Sequence, residues 1–167
     1  MSTAQAARRL LALARERGLK IATAESCTGG LVAGALTDIA GSSDVVERGF
    51  VTYSNAAKQG MLGVTALTLD RAGAVSRETA EEMAQGALAH SEADLAVAIT
   101  GIAGPGGATQ GKPVGLVHFA AAARGGKRIH RAKKFGDIGR RKVRQKSVDE
   151  ALAMLESLAK QAPKKPG

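Results

Sequence analysis

The stretch Ile21-Ala-Thr-Ala-Glu-Ser-Cys-Thr-Gly-Gly30 organises the rest of this chain. Its apolar beginning is typical of a short buried strand, and apolar residues with helical spacing resume after the two glycines. A strand that turns sharply into a helix leaves backbone N–H groups unpaired, and these favour an anion or a developing oxyanion. Ser26 and Cys27 stand at this turn, which therefore offers both a nucleophile and its oxyanion donors. An equally good interpretation is that Ser26 or Thr28 only caps the helix.

The 167 residues predict one domain over residues 1–162, followed by a disordered tail over 163–167. The apolar content is mostly Ala, Leu and Val, with three Phe, one Tyr and no Trp. Small side chains suit close packing of helices on a sheet, and the scarcity of aromatic rings disfavours recognition of bases by stacking.

One cysteine excludes an internal disulfide, and three scattered histidines offer no ligand spacing for zinc. We therefore expect no metal and no other cofactor. Arginines occupy the N-terminus where a signal peptide needs apolar residues, and no apolar run reaches the roughly 18 residues of a membrane span. These features predict a cytoplasmic protein without a membrane partner.

The net charge of +9 is concentrated in one segment, because residues 124–146 hold eleven Lys or Arg and one acid, Asp137. Such a segment is either the footprint of a nucleic-acid surface or a solvated face from which an arginine reaches a phosphate. Apart from Phe135 the segment has no interleaved aromatic residues, which favours the second interpretation and leaves nucleic acid as the alternative.

The apolar periodicity predicts alternating helices and strands with a final antiparallel hairpin that turns at residues 124–127. The predicted helices are 3–17, 30–40, 56–62 with Asn55 as its cap, 65–73, 77–89 and 139–160, and the predicted strands are 19–24, 45–54, 94–100, 114–123 and 128–135. This order predicts an α/β protein, a three-layer α/β/α sandwich with a mixed, mostly parallel sheet.

Three conspicuous loops, 25–30, 53–58 and 100–107, follow predicted strands. Ligands of open α/β sheets collect beyond the carboxyl ends of the strands, so these loops share one pocket if their strands are neighbours.

Tyr53 ends the second predicted strand, and Lys58 falls in the first turn of the next helix. The positive end of a helix dipole disfavours an ammonium and favours the neutral amine. A neutral lysine can act as a general base towards a hydroxyl, with a phenol beside it as proton donor. Taken alone, a lysine at this position is more often a solvated surface residue.

The glycine-rich loop after Thr100 contains the spacing GxxxxGK over residues 106–112. Pro113 replaces the Ser or Thr that would hold magnesium, and a strand rather than a helix follows, so we reject a nucleotide triphosphatase. Four glycines between 101 and 107 still predict a loop that lets a ligand approach its backbone. Thr100 is placed to hydrogen-bond either a ligand or its own turn.

Cys27 is the competing nucleophile, since a thiol at a helix N-terminus is typically reactive. No histidine lies near it in the sequence, so we favour a small buried apolar role for Cys27.

Five ordered motifs resemble the CinA C-terminal domain family over about residues 5–160. They are Ala24-Glu-Ser-Cys-Thr-Gly-Gly30, Gly49-Phe-Val-Thr-Tyr-Ser-Asn-Ala-Ala-Lys58, Gly73-Ala-Val-Ser76, Ala98-Ile-Thr-Gly-Ile-Ala-Gly-Pro-Gly-Gly107 and Lys112-Pro-Val-Gly115. Stand-alone members of the family include a nicotinamide mononucleotide amidase. Its two-domain members carry a separate N-terminal domain, which we expect this protein to lack. The resemblance implies an α/β/α sandwich.

The activity that the resemblance implies is hydrolysis of the carboxamide of nicotinamide mononucleotide to nicotinate mononucleotide and ammonia, without a cofactor. It places the nucleophile on Ser26, the activating partners on Tyr53 and Lys58, and two substrate contacts on Thr100 and Arg140. With the adjoining loop residues, the expected substrate-binding set is Glu25, Thr28, Gly29, Gly30, Thr100, Gly101 and Arg140.

The basic run at 140–146 is richer in charge than we expect of this family, which leaves a second class of function open. The alternative is a module that binds a competence or recombination protein, or nucleic acid, through residues 124–146 without turnover. A third possibility is a domain that binds nucleotides without turnover. We expect a small-molecule substrate and a homo-oligomer, with a dimer favoured.

Overall fold

The computed structural model of the protein describes residues 1–166. In this part of the chain a five-stranded sheet has the strand order β2-β1-β3-β4-β5. The strands are β1 (Ile21–Glu25), β2 (Val46–Val51), β3 (Leu95–Gly101), β4 (Leu116–Ala123) and β5 (Arg128–Lys134).

Helices cover both faces of the sheet. They are α1 (Thr3–Arg17), α2 (Leu31–Thr37), α3 (Asn55–Leu62), α4 (Ala66–Ala72), α5 (Arg77–Ala89) and α6 (Arg140–Gln161). One apolar core lies between the sheet and α1, α2 and α6, and a second lies between the sheet and α3 and α5. The predicted three-layer α/β/α architecture is confirmed.

Strand direction brings three loops to one edge of the sheet. Strand β1 is central and pairs in parallel with both β2 and β3, whereas β3 with β4 and β4 with β5 are antiparallel. The sheet is mixed, as predicted, with β4 alone reversed. The carboxyl ends of β1, β2 and β3 therefore lie side by side. Their strands are neighbours, so the loops that follow them can share one pocket.

The face of the sheet towards α5 is built almost entirely from alanine. Alternate residues of the three central strands point to this face: Ala22, Ala24, Ala96, Ala98, Ala120 and Ala122. Short side chains let α5 approach closely, and Gly86 of α5 allows an equally close approach to α3. A Cβ at Gly86 would lie 1.9 Å from the carbonyl oxygen of Leu62.

Several predicted boundaries are corrected by the structure, including those of strands 19–24 and 45–54, which are observed as β1 (Ile21–Glu25) and β2 (Val46–Val51). Helix α3 is capped by Ser54 rather than Asn55, because the Ser54 hydroxyl accepts the Ala57 N–H at 3.0 Å. Helix α2 ends at Thr37, and a 3₁₀ turn over Ser42–Asp44 follows. Strand β4 begins at Leu116 rather than at residue 114, because Gly115 has a φ of +89° and interrupts the extended chain.

The segment after α6 returns across the end of α1. Lys165 donates its backbone N–H to the Arg17 carbonyl at 3.0 Å and forms an ion pair with Asp94. Gly167, the last residue of the predicted tail, lies outside the described residues. Between residues 1 and 166, the helices are all too short or too polar to cross a membrane.

Candidate active site

Ser26 lies at the end of the central strand. Its backbone N–H continues the β1–β3 ladder by donating to the Ile99 carbonyl at 2.9 Å. Gly29 and Gly30, with φ of +55° and +105°, then turn the chain into α2. Ser26 is 9% exposed, so its side chain stands almost enclosed where the sheet ends.

Glu25, not Ser26 or Thr28, caps α2. The buried Glu25 carboxylate accepts the N–H groups of Val32 at 2.9 Å and Ala33 at 3.0 Å. The N-cap residue Gly30 has no side chain to serve this purpose. The interpretation of Ser26 or Thr28 as a simple cap is therefore wrong, and the Ser26 hydroxyl is left for another partner.

That partner is Lys58, which is buried rather than solvated. Lys58 lies in the first turn of α3 with 1% of its surface exposed, contrary to the expectation for a lysine at this position taken alone. Its Nζ is 3.0 Å from Ser26 Oγ, 2.8 Å from the Thr52 carbonyl and 3.3 Å from the Tyr53 carbonyl. Burial follows because α3 folds back over the end of β2 and points the side chain into the protein.

The surroundings of Lys58 favour its neutral form. No carboxylate of the described residues forms an ion pair with it. Burial lowers the pKa of Lys58 from its usual 10.5, since an ammonium loses its hydration there. A neutral amine donates its two hydrogens to the Thr52 and Tyr53 carbonyls, and its lone pair remains to accept the Ser26 hydroxyl proton. A neutral amine beside a serine hydroxyl has the chemistry that a nucleophile and its general base require.

Cys27 is 5% exposed, and burial raises the pKa of its thiol to about 11. A helix N-terminus does not make this cysteine a thiolate, because desolvation is the larger effect. The environment of Cys27 agrees with a small buried apolar role.

Tyr53 and Arg140 meet at the rim of the site. The Tyr53 phenol oxygen accepts a hydrogen bond from Arg140 Nη2 at 2.7 Å, and Arg140 Nη1 donates to the Gly104 carbonyl at 2.9 Å. Tyr53 is 59% exposed. Its carbonyl touches Lys58, whereas its phenol contacts neither Lys58 nor Ser26 among the described hydrogen bonds.

Thr100 and Gly101 form the end of β3. The buried Thr100 hydroxyl donates to the Ala74 carbonyl at 2.7 Å and ties the strand to the segment before α5. The sequence suggested that the Thr100 hydroxyl binds either a ligand or its own turn, and the contact with Ala74 is neither of these. Gly101 lets β4 pack closely, because a Cβ there would lie 2.9 Å from the Leu116 carbonyl oxygen.

These residues surround one cavity of about 280 Å³. From the predicted set, the structure brings together Ser26, Tyr53, Lys58, Thr100, Gly101 and Arg140 on its wall. Four other predicted residues, Glu25, Thr28, Gly29 and Gly30, do not line it.

A cleft of about 370 Å³ lies at the opposite end of the sheet, and its described lining includes no hydroxyl or thiol side chain. Within residues 1–166 no group of three His, Cys, Asp or Glu side chains is placed to hold a metal ion.

Arg144, which the sequence analysis missed, does not line the cavity but contacts the turn that follows Ser26. Its Nε donates to the Cys27 carbonyl at 3.0 Å, and its Nη2 donates to the Thr28 carbonyl at 3.4 Å. The available signal was spacing, because Arg144 lies four residues after Arg140 and so on the same face of α6.

The rest of the basic segment is dispersed over the fold. Arg124 donates to the carbonyls of Leu88, Ser91 and Ala93 at 2.5–2.9 Å. Arg131 pairs with Glu150 at 2.8 Å. Part of the positive charge in residues 124–146 is therefore bound to carbonyls and carboxylates of the protein itself.

Comparisons with known proteins agree with this architecture. The nicotinamide-nucleotide amidohydrolase PncC of Escherichia coli K12 is 54% identical over 142 residues, covering 84% of this chain and 85% of that protein. A CinA-like protein of Mycolicibacterium vanbaalenii is 53% identical over 138 residues, covering 83% of this chain and 32% of that protein. The crystal structure of the competence/damage inducible protein CihA from Agrobacterium tumefaciens matches with a TM-score of 0.92 and 56% identity, covering 95% of this chain and 99% of that chain.

Several curated relatives are much longer than this protein, which spans 26–32% of the length of three of them. The sequence model of the CinA C-terminal domain matches residues 3–159, nearly the whole chain. Sequence and fold agree, and the chain belongs to the CinA C-terminal domain family.

Proposed function

We propose that this protein hydrolyses the carboxamide of nicotinamide mononucleotide to nicotinate mononucleotide and ammonia. The observation that carries the proposal is the buried Lys58 amine, 3.0 Å from Ser26 Oγ and without a carboxylate partner among the described residues. The substrate follows from the name of the Escherichia coli relative, a nicotinamide-nucleotide amidohydrolase.

The first half of the reaction forms an acyl-enzyme. Ser26 Oγ attacks the carboxamide carbon while neutral Lys58 takes the hydroxyl proton. The tetrahedral intermediate collapses when the Lys58 ammonium returns that proton to the departing nitrogen, which leaves as ammonia. Lys58 is then neutral again, with Ser26 esterified.

The second half uses the same base on water. Lys58 removes a proton from a water molecule that attacks the ester, and the second tetrahedral intermediate releases nicotinate mononucleotide. The proton returns from Lys58 to Ser26 Oγ, so one amide and one water become one acid and one ammonia.

The oxyanion of both intermediates needs donors at the turn that carries the nucleophile. The Gly29 N–H donates to the Ser26 carbonyl at 3.0 Å and is therefore occupied. The N–H groups of Cys27 and Thr28 have no backbone acceptor among the described residues. We assign the oxyanion to these two amides, because Cys27 lines the cavity and the Thr28 N–H belongs to the peptide group that begins at Cys27. Glu25, Gly29 and Gly30 hold the turn in shape.

Arg140 and Tyr53 supply the substrate end of the cavity. A guanidinium has five N–H donors, and two of those on Arg140 are used by Tyr53 and Gly104. The others remain for the 5′-phosphate of the substrate, for which arginine is the favoured partner. In this proposal Tyr53 orients Lys58 through its carbonyl and Arg140 through its phenol.

The test is incubation of purified protein with nicotinamide mononucleotide, followed by ammonia measurement and mass spectrometry of the nucleotide. We expect ammonia and acid in equal amounts, and loss of both in Ser26→Ala. Binding of the nucleotide without ammonia release would instead identify a domain that has lost turnover. A protein that neither binds nor hydrolyses the nucleotide would favour the alternative of a docking module that uses residues 124–146.

A further inference from the structure

Arg144 forms hydrogen bonds with the backbone of the turn that carries the proposed nucleophile, Ser26. Its guanidinium bridges two successive carbonyls, Cys27 O at 3.0 Å and Thr28 O at 3.4 Å. It forms no ion pair with a carboxylate among residues 1–166. The guanidinium also lies against Gly29, since a Cβ at that glycine would be 3.4 Å from Arg144 Nη2. Two of the three guanidinium nitrogens of Arg144, Nε and Nη2, are therefore directed at the backbone of this turn.

One of the two contacted carbonyls, Cys27 O, belongs to a peptide group that matters for an oxyanion. In a planar trans peptide the carbonyl and the N–H stand on opposite edges of one conjugated unit. A donor on the carbonyl polarises that unit and makes its N–H a stronger donor. Cys27 O shares a peptide with Thr28 N–H, so the charged hydrogen bond from Arg144 acts on an amide without a backbone acceptor in the described chain.

The neighbouring peptide is arranged in the same way. The Ser26 carbonyl accepts the Gly29 N–H at 3.0 Å, and that carbonyl shares a peptide with the Cys27 N–H. Both candidate oxyanion donors thus have a hydrogen bond on the opposite edge of their peptide. The bond on Cys27 O is the stronger of the two, because its donor is a cation.

We propose that Arg144 is a positioning residue for the proposed amide hydrolysis. It holds the Ser26–Thr28 turn in its reactive geometry and strengthens the Thr28 N–H as a donor to the tetrahedral oxyanion. The inference rests on the function proposed above. Since the oxyanion exists only in the intermediates and their transition states, Arg144 acts on kcat rather than on substrate binding.

The test compares Arg144→Gln and Arg144→Lys with the matched control Lys142→Gln, an exposed cation two residues earlier on α6. We expect Arg144→Gln to lower kcat about 100-fold, the loss typical of a misplaced or weakened oxyanion donor, with KM changed less than about threefold. Arg144→Lys keeps the charge but not the planar fork, so it recovers part of kcat. A third variant, Arg144→Ala, leaves space for a free guanidinium ion in place of the side chain. We expect this ion, below denaturing concentrations, to raise the rate of Arg144→Ala and not of Lys142→Gln.

A second readout separates this inference from the substrate assignment. A fluorophosphonate that acylates activated serines labels Ser26, and intact-mass spectrometry follows its rate in wild type and in Arg144→Gln. If wild type leaves nicotinamide mononucleotide intact but is labelled, the substrate is wrong and slower labelling of Arg144→Gln still supports the role of Arg144. The role of Arg144 would be overturned if Arg144→Gln had the same kcat and labelling rate as the wild type. It would also be overturned if a smaller folded fraction of the variant accounted for its loss of activity. If wild type shows neither turnover nor labelling, the proposed function fails and this inference fails with it.

Discussion

The Lys58 amine lies 3.0 Å from the Ser26 hydroxyl, although 32 residues separate the two in the chain. Parallel pairing of β1 with β2 creates this contact, because it places the exits of the two strands side by side. Helix α3, capped by Ser54, then turns Lys58 back over the end of β2. The turn that carries Ser26 thereby acquires a buried amine within hydrogen-bond distance of its hydroxyl.

Replacing the nucleophile distinguishes Ser26 from its neighbour Cys27. We expect Ser26→Ala to lower kcat by about 10³-fold or more, since the acyl-enzyme cannot form. Cys27→Ala should keep activity within about tenfold, because its thiol stays protonated and contributes only packing. Steady-state ammonia release measures both variants. The opposite ranking would make Cys27 the nucleophile.

The rate should depend on pH through the amine of Lys58. The active form of the base is neutral, so kcat/KM rises as pH increases through the pKa of Lys58. Burial lowers that pKa, so the rise is complete at a lower pH than for a lysine with its usual pKa of 10.5. A pH–rate profile tests this, and Lys58→Met should remove the rising limb with most of the activity. A wild-type rate that still climbs steeply beyond pH 10.5 would show that Lys58 keeps an ordinary ammonium.

Removing the rim arginine should weaken substrate binding. Under the proposed function, Arg140→Ala deletes a charge-assisted contact to the 5′-phosphate, and we expect KM to rise roughly 10–100-fold with a smaller change in kcat. Nicotinamide riboside, which has no phosphate, is the matched substrate. The variant and the wild type should process it equally slowly. A defect of equal size on both substrates would place Arg140 away from the phosphate.

Close packing of α5 on α3 makes one glycine indispensable. Gly86→Ala would place its Cβ 1.9 Å from the Leu62 carbonyl oxygen, and we expect a loss of roughly 3 kcal/mol or more in the free energy of unfolding. Gly34→Ala, on the exposed side of α2, meets nothing within 4 Å and should add about 0.5–1 kcal/mol. Urea denaturation compares the two helical glycines. Equal effects would contradict the packing of α5.

A histidine pair should make stability depend on pH. His118 Nδ1 lies 2.9 Å from His130 Nε2, and burial lowers the pKa of both imidazoles. The unfolded chain then binds more protons than the folded one between the usual pKa of 6.5 and the lowered values. Stability is therefore lost as pH falls below about 6.5. Melting temperatures across this range test the prediction, and the double variant H118Q/H130Q should have a flatter profile.

Much of the fold could be predicted because its signals are local. The predicted bounds of α1 (3–17) and α5 (77–89) agree with the structure, in which Gly18 ends α1 in the left-handed conformation and Ser76 is the N-cap of α5. Strand β3 is buried on both faces, which agrees with the continuous run of apolar residues from Leu95 to Ile99. Boundaries failed where a cap or a positive φ competes with strand propensity, as at Ser54 and Gly115.

The site was predictable as a set of loops, but the surroundings of each side chain were not. Nothing local in the sequence distinguishes a buried Lys58 from a solvated one. The sequence argument attributed a lowered pKa of Lys58 to the helix dipole, whereas the cause is burial. Glu25 appeared as a substrate contact because it adjoins Ser26, yet its carboxylate is occupied by two amides of α2. In the sequence, Arg144 is one of eleven cations in residues 124–146. Only the packing of α6 against the turn distinguishes it from the others.

By itself, the sequence determined the order of strands and helices, the three loops that follow β1, β2 and β3, and the small residues that let the layers pack. Periodicity and turn chemistry act over a few residues, which is why they can be read without coordinates. Only the tertiary structure decided that Lys58 is desolvated beside Ser26 and that Glu25 and Arg144 hold the turn. Burial and charge are set by residues distant in sequence, and these meet only when the sheet and its two helical layers are assembled.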